Sequence, residues 1–302
     1  MAKLIQWFPG HMKKAMRDME EKRALCDGVI CVLDSRAPIA TYNPKLPEIF
    51  AGKPVLYVLN KSDLSDGKRE KFAAMIEAQG KSCVAISAVN GASRRVLEKR
   101  LQILTKEKRE RAESKGVTRR FRYTVVGIPN TGKSTVVNLL GGAKRAKTGD
   151  IAGVTRDVRW IKCADFDLLD TPGTMPPSCK TQYLARHLAY IGSLNDDILD
   201  IADVALELLK ELKANYPAAL QERYGIDCGG NNAETDKTAD EEERTREAVE
   251  MLETACRRRG FILRGGEFDY ERGARAVIDD FRKGRLGKIC LENPSDFADV
   301  KF

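Results

Sequence analysis

The chain has 302 residues, 42% hydrophobic and 32% charged, with a formal net charge of +8. That length suits about two domains with full hydrophobic cores, and the composition excludes global disorder. No apolar run approaches the roughly 18 residues of a membrane span, and the start Met-Ala-Lys-Leu-Ile-Gln-Trp lacks the apolar core of a secretory signal, so a cytoplasmic protein without membrane contact is expected.

Helices and strands are expected to alternate up to about residue 172. A helix over 11–24 leads into the short β-branched run 29–34, and a second such run covers 55–60. Each ends in a polar residue, Asp34 or Asn60, where the C-terminal edge of a parallel sheet presents its chemistry. Further strands are expected at 83–87, 122–127 and 167–170, with helices at 68–79, 94–114 and 133–140 between them. After Pro176-Pro177 the pattern changes to apolar spacings of three and four, giving helices over 182–191, 198–215, 217–224, 242–259 and 270–283. The acidic, Gly/Asn-rich stretch 229–243 reads as a loop. Residues 1–176 should therefore form an α/β domain, a mostly parallel sheet with helices on both faces. Residues 177–302 should form a smaller all-α domain with an acidic insert near 229–243.

Eight cysteines without a Cys-x-x-Cys pair, and only His11 and His187 as imidazoles, argue against a zinc site. The thiols are expected to be small buried apolar groups. Charge is unevenly spread: 94–122 holds twelve Lys/Arg against four Asp/Glu, and 256–291 holds ten against five. Such basic stretches favour a polyanionic partner through counterion release; the alternative is solvated helix faces.

Gly127-Ile-Pro-Asn-Thr-Gly132-Lys133-Ser134 fits the phosphate-loop pattern between a strand and a helix, the context the motif requires. Backbone N–H groups around Asn130, Thr131, Gly132 and Thr135 would wrap phosphates at a helix N-terminus. Lys133 would reach the β- and γ-phosphates, and the Ser134 hydroxyl would bind Mg²⁺. Asn60-Lys61-Ser62-Asp63 ends a strand; the Asp63 carboxylate can accept from guanine N1–H and its exocyclic amine, donors adenine lacks there. That opposes an ATP-dependent phosphotransferase. The Lys61 stem can pack along the base, Asn60 ties the loop down, and a backbone N–H at Ser87-Ala88 can donate to guanine O6. In Asp170-Thr-Pro-Gly173, Asp170 would hold the metal through water and Gly173 would sense the γ-phosphate, while Thr155 is the candidate switch threonine for the metal.

The base-reading motif precedes the phosphate loop, the reverse of ordinary small GTPases, so the order is circularly permuted. The chain resembles the circularly permuted GTPases, and among them the ribosome biogenesis GTPase A family (YlqF/RbgA). The resemblance rests on Trp7-Phe-Pro-Gly-His-Met12, on the phosphate loop, and on Gly260, Gly265-Gly266-Glu267 and Leu286-Gly287-Lys288. It implies a circularly permuted P-loop GTPase fold followed by an RNA-binding helical region. The implied partners are GTP or GDP, the large ribosomal subunit and its rRNA, with the protein a monomer.

Ras-type enzymes place a water-orienting Gln after Asp-x-x-Gly, where this chain has Thr174. The resemblance passes that role to His11, whose other reading is a helix-start histidine packing near Trp7. Asn130 is either a turn residue after Pro129 or, as in related potassium-stimulated GTPases, a ligand for K⁺. Arg257, Arg258, Arg259, Arg282, Lys283, Arg285 and Lys288 would meet RNA phosphates. The expected activity is GTP hydrolysis, slow alone and stimulated by ribosomal particles. The alternative is a nucleotide-gated RNA-binding protein with little hydrolysis.

Overall fold

Short runs of Val, Ile and Leu set the sheet. A computed structural model describes residues 10–142, 159–176, 179, 181–228 and 240–302, with side chains from Met16 onward. The strands are β1 (Gly28–Asp34), β2 (Val55–Asn60), β3 (Ser82–Ala85), β4 (Phe121–Val126), β5 (Arg159–Lys162) and β6 (Phe166–Asp170), in the order β3-β2-β1-β4-β6-β5. All neighbours are parallel except the antiparallel β5–β6 pair. Every residue of β1 is buried, so both faces of the sheet centre are covered. One face joins Ile30, Val32, Leu56, Val58 and Val125 to Leu97 and Leu101 of the Ser93–Leu104 helix and to Val136 and Leu140 of the Lys133–Gly141 helix.

Two features of the sheet and its flanking helices differ from the sequence expectation, besides the unanticipated short helix Lys45–Ile49. β5 was not anticipated because only Ile161 of its four residues is buried, so no apolar pattern marks it. The expected helix over 94–114 is two helices, Ser93–Leu104 and Lys106–Glu113, broken at Thr105. The Thr105 hydroxyl donates to Leu101 O at 3.0 Å and lies 2.9 Å from the buried Tyr123 hydroxyl.

The described residues fall into two compact units. One takes in the residues up to Leu184 together with Cys290–Phe302, and the other is Ala185–Ile289. The division thus lies within the Gln182–Tyr190 helix rather than after 176, and the last thirteen residues belong to the α/β unit rather than the helical one. Physical contacts explain the return. Leu291 N–H donates to Arg36 O at 2.8 Å, the buried Glu292 carboxylate accepts from Ile39 and Ala40 N–H at 2.6 and 2.9 Å, and the Phe302 ring packs 4.7 Å from Tyr42.

In the helical unit, Ile201–Asn215 buries Ile201, Val204, Ala205, Leu208, Leu209 and Leu212 at helical spacing and starts at an Asp200 cap. Glu241–Arg259 and Tyr270–Arg282 pack against it. Most of the acidic insert, residues 229–239, lies outside the described residues. Five cysteines are buried, and burial pushes the Cys31, Cys83 and Cys290 thiols up to about 12. No described helix is long and apolar enough to cross a membrane.

Candidate nucleotide site

The phosphate loop leaves β4 and enters the Lys133–Gly141 helix, so backbone N–H groups and the helix dipole converge at one sheet edge. Gly132 has φ +89°, and a Cβ there would run into Asn60 Nδ2. Lys133 is buried and its Nζ donates to Ile128 O at 2.6 Å. Burial lowers its pKa to about 8, partly opposed by the charge of Asp170. Such a lysine is held desolvated where phosphate charge would restore its full ionisation.

Asn60, at the C-terminal end of β2, joins the three loops. Its Nδ2 donates to Thr131 O at 2.9 Å, while its Oδ1 accepts from Ala88 N–H at 3.0 Å. That corrects one expectation: the Ala88 N–H is engaged by Asn60 rather than offered to guanine O6. The Ser87 hydroxyl has no hydrogen-bond partner among the described residues. Lys61 donates from Nζ to Asn130 O at 2.6 Å, so the base-reading loop and the phosphate loop are tied side chain to backbone. Asp63 follows in a short turn, Ser62–Leu64, and is exposed.

Asp170 ends β6 beside β4. Its carboxylate is buried, neither oxygen has a hydrogen-bond partner among the described residues, and burial raises its pKa. A buried carboxylate left so is chemically suited to a hard cation or its water shell. With the half-buried Ser134 one residue beyond Lys133, these residues fit Mg²⁺. Gly173 lies against the phosphate loop; a Cβ there would meet Pro129 N and Cα at 2.7 and 2.8 Å. Thr174 is fully buried, its N–H donating to Gly127 O and its O accepting from Asn43 Nδ2 at 3.0 Å. A group so enclosed is not placed to orient an attacking water.

Thr155 lies outside the described residues, and so does the His11 side chain, although His11 itself stands in the first turn of the Gly10–Lys22 helix. The half-buried Asn130 has φ +60°. Sequence reasoning missed the pairing of Asp34 with Arg36 and with Lys61 of the base-reading turn. Asp34 was noted only as a polar strand end, and the signal was an Arg two positions beyond it.

The basic candidates divide. Arg282 is engaged inside the helical unit: its guanidinium holds the Asp196 carboxylate at 2.7 Å and donates to Ala189 and Tyr190 carbonyls. Arg285 pairs with the buried Asp280 at 2.9 Å and with Asp279, which also holds Lys283. These three, also expected to meet RNA, each have a carboxylate partner within the helical unit. Arg257, Arg258, Arg259 and Lys288 are exposed, as Lys283 and Arg285 are, with Arg257 over the Phe268 ring at 5.3 Å and Arg259 3.9 Å from Asp280. In the 94–122 stretch most cations are engaged too: Lys108 on Asp27 O, Arg119 on the Asp27 carboxylate, Arg120 on Asp167.

A phosphate loop braced by an Asn-Lys-x-Asp turn, on a sheet whose base-reading strand comes first in the chain, defines a circularly permuted P-loop protein of the guanine-nucleotide-binding class. A protein-family model described as "50S ribosome-binding GTPase" matches residues 122–226. The chain is 37% identical to ribosome biogenesis GTPase A of Bacillus cereus over 299 residues, 98% of this chain and 96% of that one. The structure is similar to the GDP-bound structure of TM YlqF, with TM-score 0.63, 26% identity, and 93% of this chain and all of that one covered. It is equally similar, at TM-score 0.63 and 25% identity, to GNP-bound YlqF from T. maritima, covering 93% and 98%. The chain belongs to the ribosome biogenesis GTPase A family and is a GTPase.

Proposed function

We propose that this GTPase is an assembly factor of the large ribosomal subunit, binding rRNA in its GTP form and leaving after hydrolysis, as a cytoplasmic monomer. The observation that carries the reading is the loop junction at Asn60 and Lys61, which gives a guanine-reading turn and a phosphate loop one shared geometry, in a chain of this family. Asp63 accepts from the guanine edge, and Thr131, Gly132, Lys133 and Thr135 hold phosphate. Ser134, Asp170 through water, and Thr155 would hold Mg²⁺, which neutralises charge on the β- and γ-phosphate oxygens when bound. Lys133, released from Ile128 O, would add its own charge toward the same phosphate oxygens. Gly173 reports the γ-phosphate through a backbone that must lie close against Pro129.

The family resemblance gives the water-orienting role to His11, and the buried Thr174 does not compete for it. Turnover is then slow alone and faster once a ribosomal partner fixes His11. K⁺ at Asn130 would supply further charge. On the helical unit, Arg257, Arg258, Arg259 and Lys288 meet rRNA phosphates. The burial of Thr174 also favours the second reading, a nucleotide-gated RNA-binding protein with little hydrolysis.

GTP turnover with and without large ribosomal subunits, for the unaltered chain and His11→Ala, tests both. Strong stimulation that His11→Ala abolishes, with GTP affinity intact, is expected. Equal stimulation of both proteins would make His11 structural, and turnover that subunits leave unmoved would sink the assembly-factor reading in favour of gated binding.

A further inference from the structure

Among the described residues, Lys61 and Asn130 are the non-glycine residues with positive φ, at 59° and 60°. They are also donor and acceptor of the same loop-to-loop hydrogen bond. A left-handed backbone is strained for an ordinary L-residue and persists only where its surroundings over-determine it. What holds Lys61 is Asp34. The Asp34 carboxylate is wholly buried and lies 3.0 Å from Lys61 Nζ through Oδ2. It also accepts from Arg36: Nη2 at 2.8 Å, Nε at 2.9 Å and the backbone N–H at 3.0 Å. Arg36 is itself 1% exposed, which is rare for this residue type and requires full pairing.

The loop carrying this pair is buried as well, unlike most loops. Ser35 N–H donates to Asn60 O at 2.8 Å, Asp34 N–H to Thr41 Oγ1, and Ile39 and Ala40 N–H to Glu292. With its backbone so fixed, the loop can present the Asp34 carboxylate at one position only.

We propose that Asp34, clamped by Arg36, is a positioning residue for nucleotide binding: it fixes the Lys61 ammonium between its own carboxylate and Asn130 O, aligning the lysine stem along the guanine and holding the phosphate loop in its left-handed bend. Asp34 acts through Lys61 and touches no nucleotide. This rests on the guanine-nucleotide reading of the site.

The test is a double-mutant cycle on the full chain, with affinity for a fluorescent GDP analogue as readout and melting without nucleotide as the control for folding. Asp34→Asn should weaken binding about tenfold when Lys61 is present and less than about twofold in a Lys61→Met background, since coupled neighbours are non-additive. An equal loss in both backgrounds, or no loss at all, would overturn the positioning role. Should Asp34→Asn fail to fold, Arg36→Lys serves in its place: a loss of a few-fold only when Lys61 is present supports the clamp, and an equal loss in both backgrounds overturns it. Failure of the unaltered chain to bind the analogue would overturn the site reading itself, which separates the two.

Discussion

Each unit has a wholly buried aspartate paired with arginine, and the two are put to different use. Asp34 in the α/β unit and Asp280 in the helical unit are both wholly buried. Burial alone would raise each carboxyl's pKa, yet neighbouring cations and hydrogen bonds hold both below the usual carboxylate range, Arg36 and Lys61 around Asp34, Arg223, Arg285 and Tyr224 around Asp280. Asp280 joins the Pro217–Tyr224 and Tyr270–Arg282 helices, with Arg259 and Arg285 also within ion-pair distance, all inside the helical unit. Asp34 has a lysine partner whose ammonium continues to the phosphate loop. The same buried charge cluster is a packing tie in one place and part of a binding site in the other. What separates them is where the cation's remaining donors go.

Removing the packing tie should have the largest effect. Asp280→Ala removes the acceptor shared by Arg223 and the Tyr224 hydroxyl and leaves Arg285 with Asp279 alone, and should lower unfolding stability by about 3 kcal/mol in urea titration. GDP affinity should hold; its loss alongside stability would erase the distinction between the clusters. The pH dependence sharpens it further. Because both aspartates have depressed folded pKa values, their stabilisation is complete above the unfolded value near pH 4 and is lost as pH falls through the folded values. Asp280→Asn should therefore flatten the acid limb of the stability curve.

Lys133 runs in the opposite sense. Its folded pKa of about 8 lies below the unfolded value, so between the two the free fold gains stability as pH rises. Nucleotide binding needs its charge, so GDP affinity should fall as pH climbs above 8, by up to about tenfold per unit. Calorimetry at two pH values in buffers of different ionisation enthalpy would show proton uptake, and Lys133→Arg should remove it.

Smaller effects follow from the outer supports. Glu292→Gln weakens the hold on Ile39 and Ala40 and should cost about 1 kcal/mol of stability in the α/β unit, with a few-fold loss of GDP affinity if the buried loop feeds the Asp34 clamp. On the helical unit, Arg258→Ala should reduce the salt slope of RNA binding by about one and leave melting unchanged. Arg282→Ala should do the reverse, lowering the melting temperature, because its guanidinium is already bound to Asp196 and two carbonyls. An rRNA filter-binding series at several salt concentrations separates these outcomes.

Much of the α/β unit was legible because its strands are short apolar runs ended by polar residues, and β1 and β2 end at Asp34 and Asn60 as read. The edge strand Arg159–Lys162 was not, since its exposed residues carry no periodic signal and pairing with β6 alone makes it a strand. The helix break at Thr105 depends on a hydroxyl contact with Tyr123, eighteen positions away. Among site residues, Lys61 was expected to pack along the base, but its attachment to Asn130 O was out of view. The basic run Arg257–Arg259 and the cations Arg282 and Arg285 look alike as letters; Arg282 and Arg285 lie 2.7 and 2.9 Å from carboxylates, and Arg259 reaches the buried Asp280 at 3.9 Å.

By itself the sequence determined the chemistry that needs only neighbours: the Gly127–Ser134 loop, the Asn60–Asp63 turn and the Asp170–Gly173 strand end, with their permuted order. Such motifs work through backbone N–H groups and side chains a few bonds apart, so spacing along the chain is spacing in the site. Only the tertiary structure decided which charges pair. Glu292 meets Ile39 across 253 positions, and the Asp34 carboxylate finds Lys61 because parallel β1 and β2 end side by side, with Asp34 opposite Asn60. A buried charge must be matched by whatever the packing brings to it, and no local pattern announces that partner.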